Sequence, residues 1–508
     1  MGGLSSDYRP RRVVDTPLYQ IVSQHLAAFV AHAEAHDRTL PRFVREELEK
    51  FLTCGILEHG FALAQCGTCS FQRLVPFSCG GRGWCPSCMD RRMADTAARL
   101  TDYVVPRAPV RHWVLSLPPA LRFLLAYDVE LCGEVLGVFT REVFAWLQTT
   151  ARNDAGLAEE YELHPAAVTA IQRADSAGRL NLHFHTMALD GVYALNRAAP
   201  SAAPDTLRFV SARAPTRAEV SAVAWEVCLR TMDLLKARGL AMDANLEDLD
   251  PHAAQSELLL DPMLQQCATA SVQGVVLFGP RAGKQVLRLG SGPNDVDTRG
   301  RAAHGFDLHA ARRISAADRA GLQRLCRYIL CPPLSHDRIR LTQTGQVKLR
   351  LKRPWSDGTS ELVMSPFDFL ARLVAITPPP RTHRVRYHGV LSSHHRLRAR
   401  VVPEPPPAEP PTQLLLWHDR DGKLAPAPEH RVRWHQLMAR TLGVDPLCCP
   451  RCHNPMRIVG FVTEQARIAW YLHWHGLGNR GPPPPYRSRA PPQLELPFND
   501  RPTSPGEV

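Results

Sequence analysis

The sequence predicts an α+β fold, an antiparallel sheet with flanking helices preceded by a small cysteine-ribbon domain. Three observations carry this prediction. Cys66-Gly-Thr-Cys69 and Cys85-Pro-Ser-Cys88 are Cys-x-x-Cys pairs separated by 15 residues, a spacing that suits a zinc ribbon. Ala166–Arg173 and Leu180–Leu189 flank the turn residues Ser176-Ala-Gly178, as two strands of a hairpin would. Helical spacing of apolar residues occupies 17–53, 119–148 and 216–238.

Composition narrows the partners. The 508 residues suggest about three domains, and a net charge of +12 points to a polyanion such as nucleic acid. A membrane is not expected, because there is neither an unbroken apolar run of about 18 residues nor an N-terminal signal segment. Six of the 14 cysteines fall between Cys54 and Cys88, which without a secretory signal indicates metal binding in a reducing, cytoplasmic setting. The expected organisation is a helical segment and zinc ribbon over 1–100, the sheet domain over 101–400 and a Pro-rich linker over 401–429. A small cysteine-containing unit over 430–480 and a disordered tail over 481–508 complete it.

Residues 17–53 read as helix around Leu26, Phe29 and Val30. The expected Zn²⁺ ligands that follow are Cys66, Cys69, Cys85 and Cys88, the ion replacing a core that so short a segment cannot build. Cys54, His59 and Cys79 are spares, each able to replace one ligand or to be a plain structural residue. Four thiolates leave no open position for a substrate, so the module's expected task is to fold a DNA- or protein-contacting unit.

Val110–Leu117 reads as a strand and 119–148 as helix. In Leu180–Leu189, alternation sends His183, His185, Met187 and Leu189 to one face, and Leu180, Leu182, Phe184 and Thr186 to the other. Two imidazoles one strand-step apart can hold one cation. Taken alone, a pair of half-buried, hydrogen-bonded histidines is the commoner case. Across the hairpin Gln172 lies beside His183, and an amide oxygen with two imidazoles suits Mg²⁺ or Mn²⁺. An edge-strand polar residue is the alternative for Gln172.

Farther on, Gly279-Pro-Arg-Ala-Gly283-Lys284 has the wrong spacing for a phosphate loop and no Ser or Thr after the lysine. Gly305–Ala310 reads as a strand with Asp307 and His309 on one face. Ser315-Ala-Ala-Asp318 opens a helix that Pro332-Pro333 ends, with Leu322, Leu325, Cys326 and Ile329 as its apolar stripe. Tyr328 sits at the edge of that stripe, with Arg324 one turn earlier and Arg327 adjacent. A tyrosine hydroxyl can attack phosphorus and arginines stabilise the charge that builds there, although an ordinary amphipathic tyrosine is the commoner fate.

Residues 338–353 read as a hairpin turning at Thr344-Gly345, where Lys348, Arg350 and Lys352 form a basic face. Such a face is a backbone track for single-stranded DNA or simply a solvated surface. The C-terminal unit holds Cys448, Cys449 and Cys452 and then His473-Trp-His475. Those two histidines sit in an amphipathic helix, where i and i+2 share no face, which weighs against a second zinc on Cys449 and Cys452 with them.

Together these residues resemble the transposases of the insertion sequence 91 family and its common-region relatives, over about residues 20–400. The resemblance rests on Ser78-Cys-Gly-Gly-Arg-Gly-Trp-Cys-Pro-Ser-Cys88, Asn181-Leu-His-Phe-His-Thr186 and Gly305-Phe-Asp-Leu-His-Ala310. Leu325-Cys-Arg-Tyr328, Pro332-Pro-Leu334 and Arg386-Tyr-His-Gly389 extend it in the same order. It implies an HUH-type single-strand endonuclease, in which a histidine pair holds a divalent ion against the scissile phosphate. A tyrosine attacks and stays linked to the 5′ phosphate, leaving a 3′ hydroxyl for rolling-circle transposition of the element. On that implication His183 and His185 are metal ligands and Tyr328 is the nucleophile. Some members carry Tyr-x-x-x-Tyr, whereas Arg324 stands four positions before Tyr328 here, as in the single-tyrosine relatives. A second strand transfer then needs another tyrosine, a host enzyme or another subunit of an oligomer. The implied partners are the single-stranded DNA ends of the mobile element and its target DNA, with the protein at the nucleoid. A plasmid replication initiator or relaxase would share the chemistry, and a non-catalytic zinc-dependent DNA-binding regulator would share the zinc module.

Overall fold

The computed structural model describes residues 12–197, 207–240, 261–290, 305–403, 416–418, 424–426 and 445–477. Most of the linker expected over 401–429 and the whole tail over 481–508 lie outside these residues. In chain order the elements begin with α1 (Pro17–Glu34), α2 (Arg42–Phe51), β1 (Phe61–Cys66), β2 (Gln72–Pro76) and α3 (Pro86–Tyr103). Next come β3 (Val110–Ser116), α4 (Pro119–Tyr127), α5 (Val129–Asp154), β4 (Tyr161–His164), β5 (Ala166–Ala174), β6 (Leu180–Leu189), β7 (Gly191–Asn196) and β8 (Leu207–Ser211). Then follow α6 (Arg217–Ala237), α7 (Pro262–Gln273), β9 (Leu287–Leu289), β10 (Asp307–Ile314) and α8 (Arg319–Ile329). The remainder is β11 (Ile339–Leu341), β12 (Val347–Arg350), β13 (Glu361–Met364), α9 (Pro366–Ile376), β14 (Val385–Gly389), α10 (Arg398–Val401), β15 (Leu416–His418), β16 (Leu424–Pro426), β17 (Met456–Val462) and a last helix, Gln465–Trp474.

The fold is α+β, organised on a five-stranded antiparallel sheet in the order β10-β3-β6-β5-β14. Its β5–β6 hairpin is set locally. Asp175 accepts hydrogen bonds from the amides of Ala177 (2.8 Å) and Arg179 (3.0 Å), and Gly178 takes φ +67°. Alternation then gives each strand two apolar faces. Trp113, Leu115, Leu182 and Phe184 pack into the large core with α4, α5, α7 and α9, whereas Val110, Val168, Met187 and Leu189 pack under α3 and α8. Where β6 bends into β7, buried Asp190 accepts from Arg111 (2.7 and 2.9 Å) and from Arg313 (2.7 Å), joining β3, β6 and β10 at one point.

Two boundaries differ from the sequence expectation. The helix over 119–148 is two helices, because Asp128 is extended (φ −91°, ψ 100°) and caps α5 by accepting from Leu131 N at 2.8 Å. The cap of α8 is Asp318, which accepts from Gly321 N at 2.7 Å, not Ser315. Among the described residues no helix is long and apolar enough to cross a membrane.

The N-terminal ribbon is a three-stranded sheet in the order β17-β1-β2, so a C-terminal strand completes it. Trp84 keys this unit to the end of α9. It is fully buried, packs against Phe51 at 4.8 Å and donates to Thr377 Oγ1 at 3.2 Å.

Candidate active site and metal centres

The sheet register builds the first site. Asp307, Ser116, His183 and Gln172 lie abreast on four strands, and His309, Val114, His185 and Ala170 form the next row. Residues directly opposite share a face, so Gln172 stands beside His183 as the hairpin spacing predicts. Both histidines have Nδ1 engaged. His183 Nδ1 donates to Asn181 O at 2.7 Å, which leaves its Nε2 as a bare lone pair in the neutral ring. His185 Nδ1 lies 2.9 Å from His112 Nε2, and the two rings stack at 5.1 Å. A tautomer in which His185 donates leaves its Nε2 bare as well.

Burial favours the neutral rings. It pushes the His183 pKa down, and it lowers His112 to about 4 with help from Arg312. The same effect, reinforced by His183, His112 and Lys352, takes His185 to about 2. The sequence offered no reason to single out His112. Its signal, a histidine on an alternating strand, becomes meaningful only once β3 is known to pair with β6.

Tyr328 stands over this pair at the C-terminal end of α8. Its ring meets His185 edge-on at 5.7 Å and His112 at 6.1 Å, and the residue is 52% exposed. Gln172 holds the same helix end, its amide nitrogen donating to Ile329 O at 2.7 Å and reaching Tyr328 O at 3.5 Å. That donation turns the amide towards α8. Asp307 and His309 share one face as predicted, the register makes it the histidine face, and they pair with each other at 3.2 Å, Asp307 part-buried and His309 exposed.

The cysteines form two centres. Cys54, Cys79, Cys85 and Cys88 gather in one, and Cys66, Cys69, Cys449 and Cys452 in another, with the ligand atoms of each group within 4.8 Å of one another. Among the described residues these are the clusters of three or more His, Cys, Asp or Glu at metal-binding spacing. The expected quartet of Cys66, Cys69, Cys85 and Cys88 is therefore not one site. The reason is the β1–β2 hairpin. Cys66 and Cys69 lie at its tip, while Cys54 and Cys79 flank its open end, where Gly55 N donates to Phe77 O and Phe77 N to Gly60 O. A six-residue strand spans roughly 20 Å and separates the two ends. His59 joins neither group.

A tetrahedral Zn²⁺ with bonds of about 2.3 Å sets its sulfurs about 3.8 Å apart. In the first centre Cys54 lies 3.7 Å from both Cys85 and Cys88, and Cys79 lies 3.3 Å from Cys88. These spacings fit zinc and are far too long for a disulfide. Hydrogen bonding, first with Cys54 and then with Cys79 and Cys85, holds the Cys88 thiol far below its ordinary range. The site is closed, as befits a structural ion.

Comparison with known families agrees with this layout. The model of the transposase zinc-binding domain of insertion sequence 91 matches residues 21–117, and a model described as “putative transposase” matches residues 166–398. The chain belongs to the insertion sequence 91 family of transposases. No curated protein and no solved structure matches it. As a transposase it acts on DNA, and its net charge of +12 suits that substrate. The zinc-binding domain of this transposase contributes Arg82 to a basic cleft. The cleft beside Gln172 is lined by Arg82 of the zinc loop, Arg173, Lys352 and Arg384, with no acidic residue in its lining. Burial, with Arg173 adding to the effect, takes Arg384 down to about 10, so it stays charged at neutral pH.

The cationic face expected from Lys348, Arg350 and Lys352 is only partly present. Lys348 pairs with Glu361 at 3.0 Å and Arg350 with Asp337 at 3.2 Å, which neutralises both. Lys352 lies beyond the end of β12, in the cleft. Arg324 is exposed one turn before Tyr328, 3.8 Å from Asp318, and half-buried Arg327 adjoins the tyrosine.

Proposed function

We propose that this transposase nicks the single-stranded DNA ends of its mobile element by tyrosine transesterification and moves the element by rolling-circle transfer. One observation carries the proposal most directly: Tyr328, half exposed, stands edge-on over His185 and His112, at a helix end held by Gln172, which also lines a cationic cleft. His183 and His185 would hold a divalent ion through Nε2 with the Gln172 amide oxygen as third ligand, an oxygen-containing set that suits Mg²⁺ or Mn²⁺. When bound, the ion supplies Lewis-acid polarisation of the scissile phosphate.

The remaining steps belong to the chain. Arg82, Lys352 and Arg384 draw the backbone into the cleft, and Arg324 and Arg327 flank the tyrosine. The Tyr328 oxygen bonds to phosphorus as the bond from phosphorus to the 3′ oxygen breaks, and the phenolic proton ends on that leaving oxygen. The products are a 5′ phosphotyrosine and a free 3′ hydroxyl. Gln172 serves here also to fix α8 and thereby the height of Tyr328 over the histidines. Transfer into target DNA reverses the chemistry with the 3′ hydroxyl of the new strand attacking the phosphotyrosine, and a second strand transfer would need another tyrosine, another subunit or a host enzyme. The protein would work in the cytoplasm at the nucleoid.

The deciding experiment incubates the full chain with labelled single-stranded DNA from the element's ends and Mg²⁺ or Mn²⁺, then resolves the products on a denaturing gel. A covalent protein–DNA band is expected, absent in Tyr328→Phe and in His183→Ala while DNA binding persists. An adduct that survives Tyr328→Phe refutes the nucleophile. Binding without any adduct leaves a zinc-dependent DNA-binding regulator, and cleavage confined to a plasmid origin leaves a replication initiator or relaxase.

A further inference from the structure

We propose that Cys66, Cys69, Cys449 and Cys452 hold a second structural zinc ion, which clasps the C-terminal unit onto the N-terminal zinc-binding domain. The family models end at residue 398, so nothing in them assigns the C-terminal pair. The geometry is that of a tetrathiolate. Cys66 lies 3.4 Å from Cys452, and Cys69 lies 3.5 Å from both Cys449 and Cys452. Tetrahedral zinc with bonds of about 2.3 Å needs about 3.8 Å between sulfurs, so a small outward shift admits the ion.

The backbone supplies a second, independent observation. The two Cys-x-x-Cys turns, far apart in sequence, are built alike. In the first, Cys66 N donates to Phe71 O (2.8 Å), Ser70 N donates to Cys66 O (3.1 Å), and Ser70 takes φ +57°. In the second, Cys449 N donates to Asn454 O (2.9 Å), His453 N donates to Cys449 O (2.9 Å), and His453 takes φ +57°. The amides of Thr68 and Cys69 face the Cys66 sulfur, and those of Arg451 and Cys452 face the Cys449 sulfur. Each turn is thus a preformed knuckle whose N–H groups are aimed at a thiolate. The construction requires a positive φ at the same place in both turns, and Ser70 and His453 both adopt it. Two knuckles meeting face to face make a closed four-sulfur site.

The clasp also answers a packing deficit. The C-terminal unit contributes little apolar surface, chiefly Val462, Ile468 and Leu472 against Phe61, Leu63 and Leu74 of the hairpin, and Met456 beside Ala64. So small a core seldom holds a unit without a metal. The cross-link joins residues 383 positions apart at Cys69 and Cys452, where loop closure costs the unfolded chain most entropy. It also fixes the register of β17 on β1, in which Cys66 is opposite Met456.

The test is a metal count on the full-length protein, and it does not depend on nicking. Elemental analysis is expected to give one zinc fewer per chain in Cys449→Ser/Cys452→Ser than in the unaltered protein. After cobalt replacement, the thiolate-to-metal charge-transfer band should fall by about half in that variant. Limited proteolysis should release residues 445–477 from the variant and leave the remainder intact. Alkylation of the unaltered protein, mapped peptide by peptide, keeps the proposal testable even where the variant misfolds. All eight cluster cysteines should be protected until a chelator is added. An unchanged zinc content in the variant, or free alkylation of Cys449 and Cys452 in the zinc-loaded protein, overturns it. Either result would return Cys66 and Cys69 to a site without the C-terminal pair.

Discussion

Beside His185 stands a histidine whose only visible task is to hold its neighbour. His112 Nε2 meets His185 Nδ1 at 2.9 Å, and such an outer partner fixes the ring and tautomer of a metal-binding imidazole. His112→Ala is expected to weaken Mn²⁺ affinity by about 10–100-fold, with nicking restored as the ion concentration is raised. Loss that no ion concentration restores would give His112 a direct role instead. A second residue sets a pH dependence. His388 on β14 bonds Thr169 Oγ1 at 3.1 Å, and burial, with Arg386, lowers it to about 4. Its unfolded value is about 6.5, so between these values the unfolded chain binds the additional proton. Stability is therefore full above about pH 6.5 and is lost as pH falls towards 4. His388→Asn should flatten this slope in urea unfolding followed from pH 7 to pH 4, and an unchanged slope would clear His388 of the effect. The histidine pair itself was legible in the sequence, because period-two alternation is a local property. His112 was not, because its meaning depends on which strand lies alongside.

At the scale of elements, most strands and helices are where the sequence puts them. The hairpin turn at Ser176–Gly178 and the helix expected over 216–238, found as α6 beneath a capping box of Thr216 and Glu219, are examples. Boundaries failed where one short polar side chain decided between continuing a helix and capping the next, as at Asp128 and Asp318. Glycine marks one place where an element can end in only one way. Gly389 closes β14 at φ +57°, and a Cβ built there would run into the Pro165 carbonyl. Gly389→Ala is expected to cost about 1–3 kcal/mol, read as a lower urea midpoint, because both the backbone region and the contact oppose it. A midpoint equal to that of the unaltered protein would mean that the edge strand relaxes freely.

For the whole molecule, the decisive contacts are long-range. Trp84 anchors the zinc loop to the end of α9 through Thr377, and this carries Arg82 into the cleft beside Gln172. β17 returns to β1 and brings Cys449 and Cys452 to the hairpin tip. By itself the sequence determined the α+β class, the β5–β6 hairpin with His183 beside Gln172, and the presence of cysteine metal ligands. All of these follow from spacing within a few tens of residues. Only the tertiary structure decided which cysteines share an ion, that His112 supports His185, and that Lys348 and Arg350 are neutralised by Glu361 and Asp337. Ligand type is written in the side chain, but a shared site needs atoms brought within a few ångströms. Along this chain that proximity is set by strand pairing and hairpin length across as many as 386 residues, as between Cys66 and Cys452.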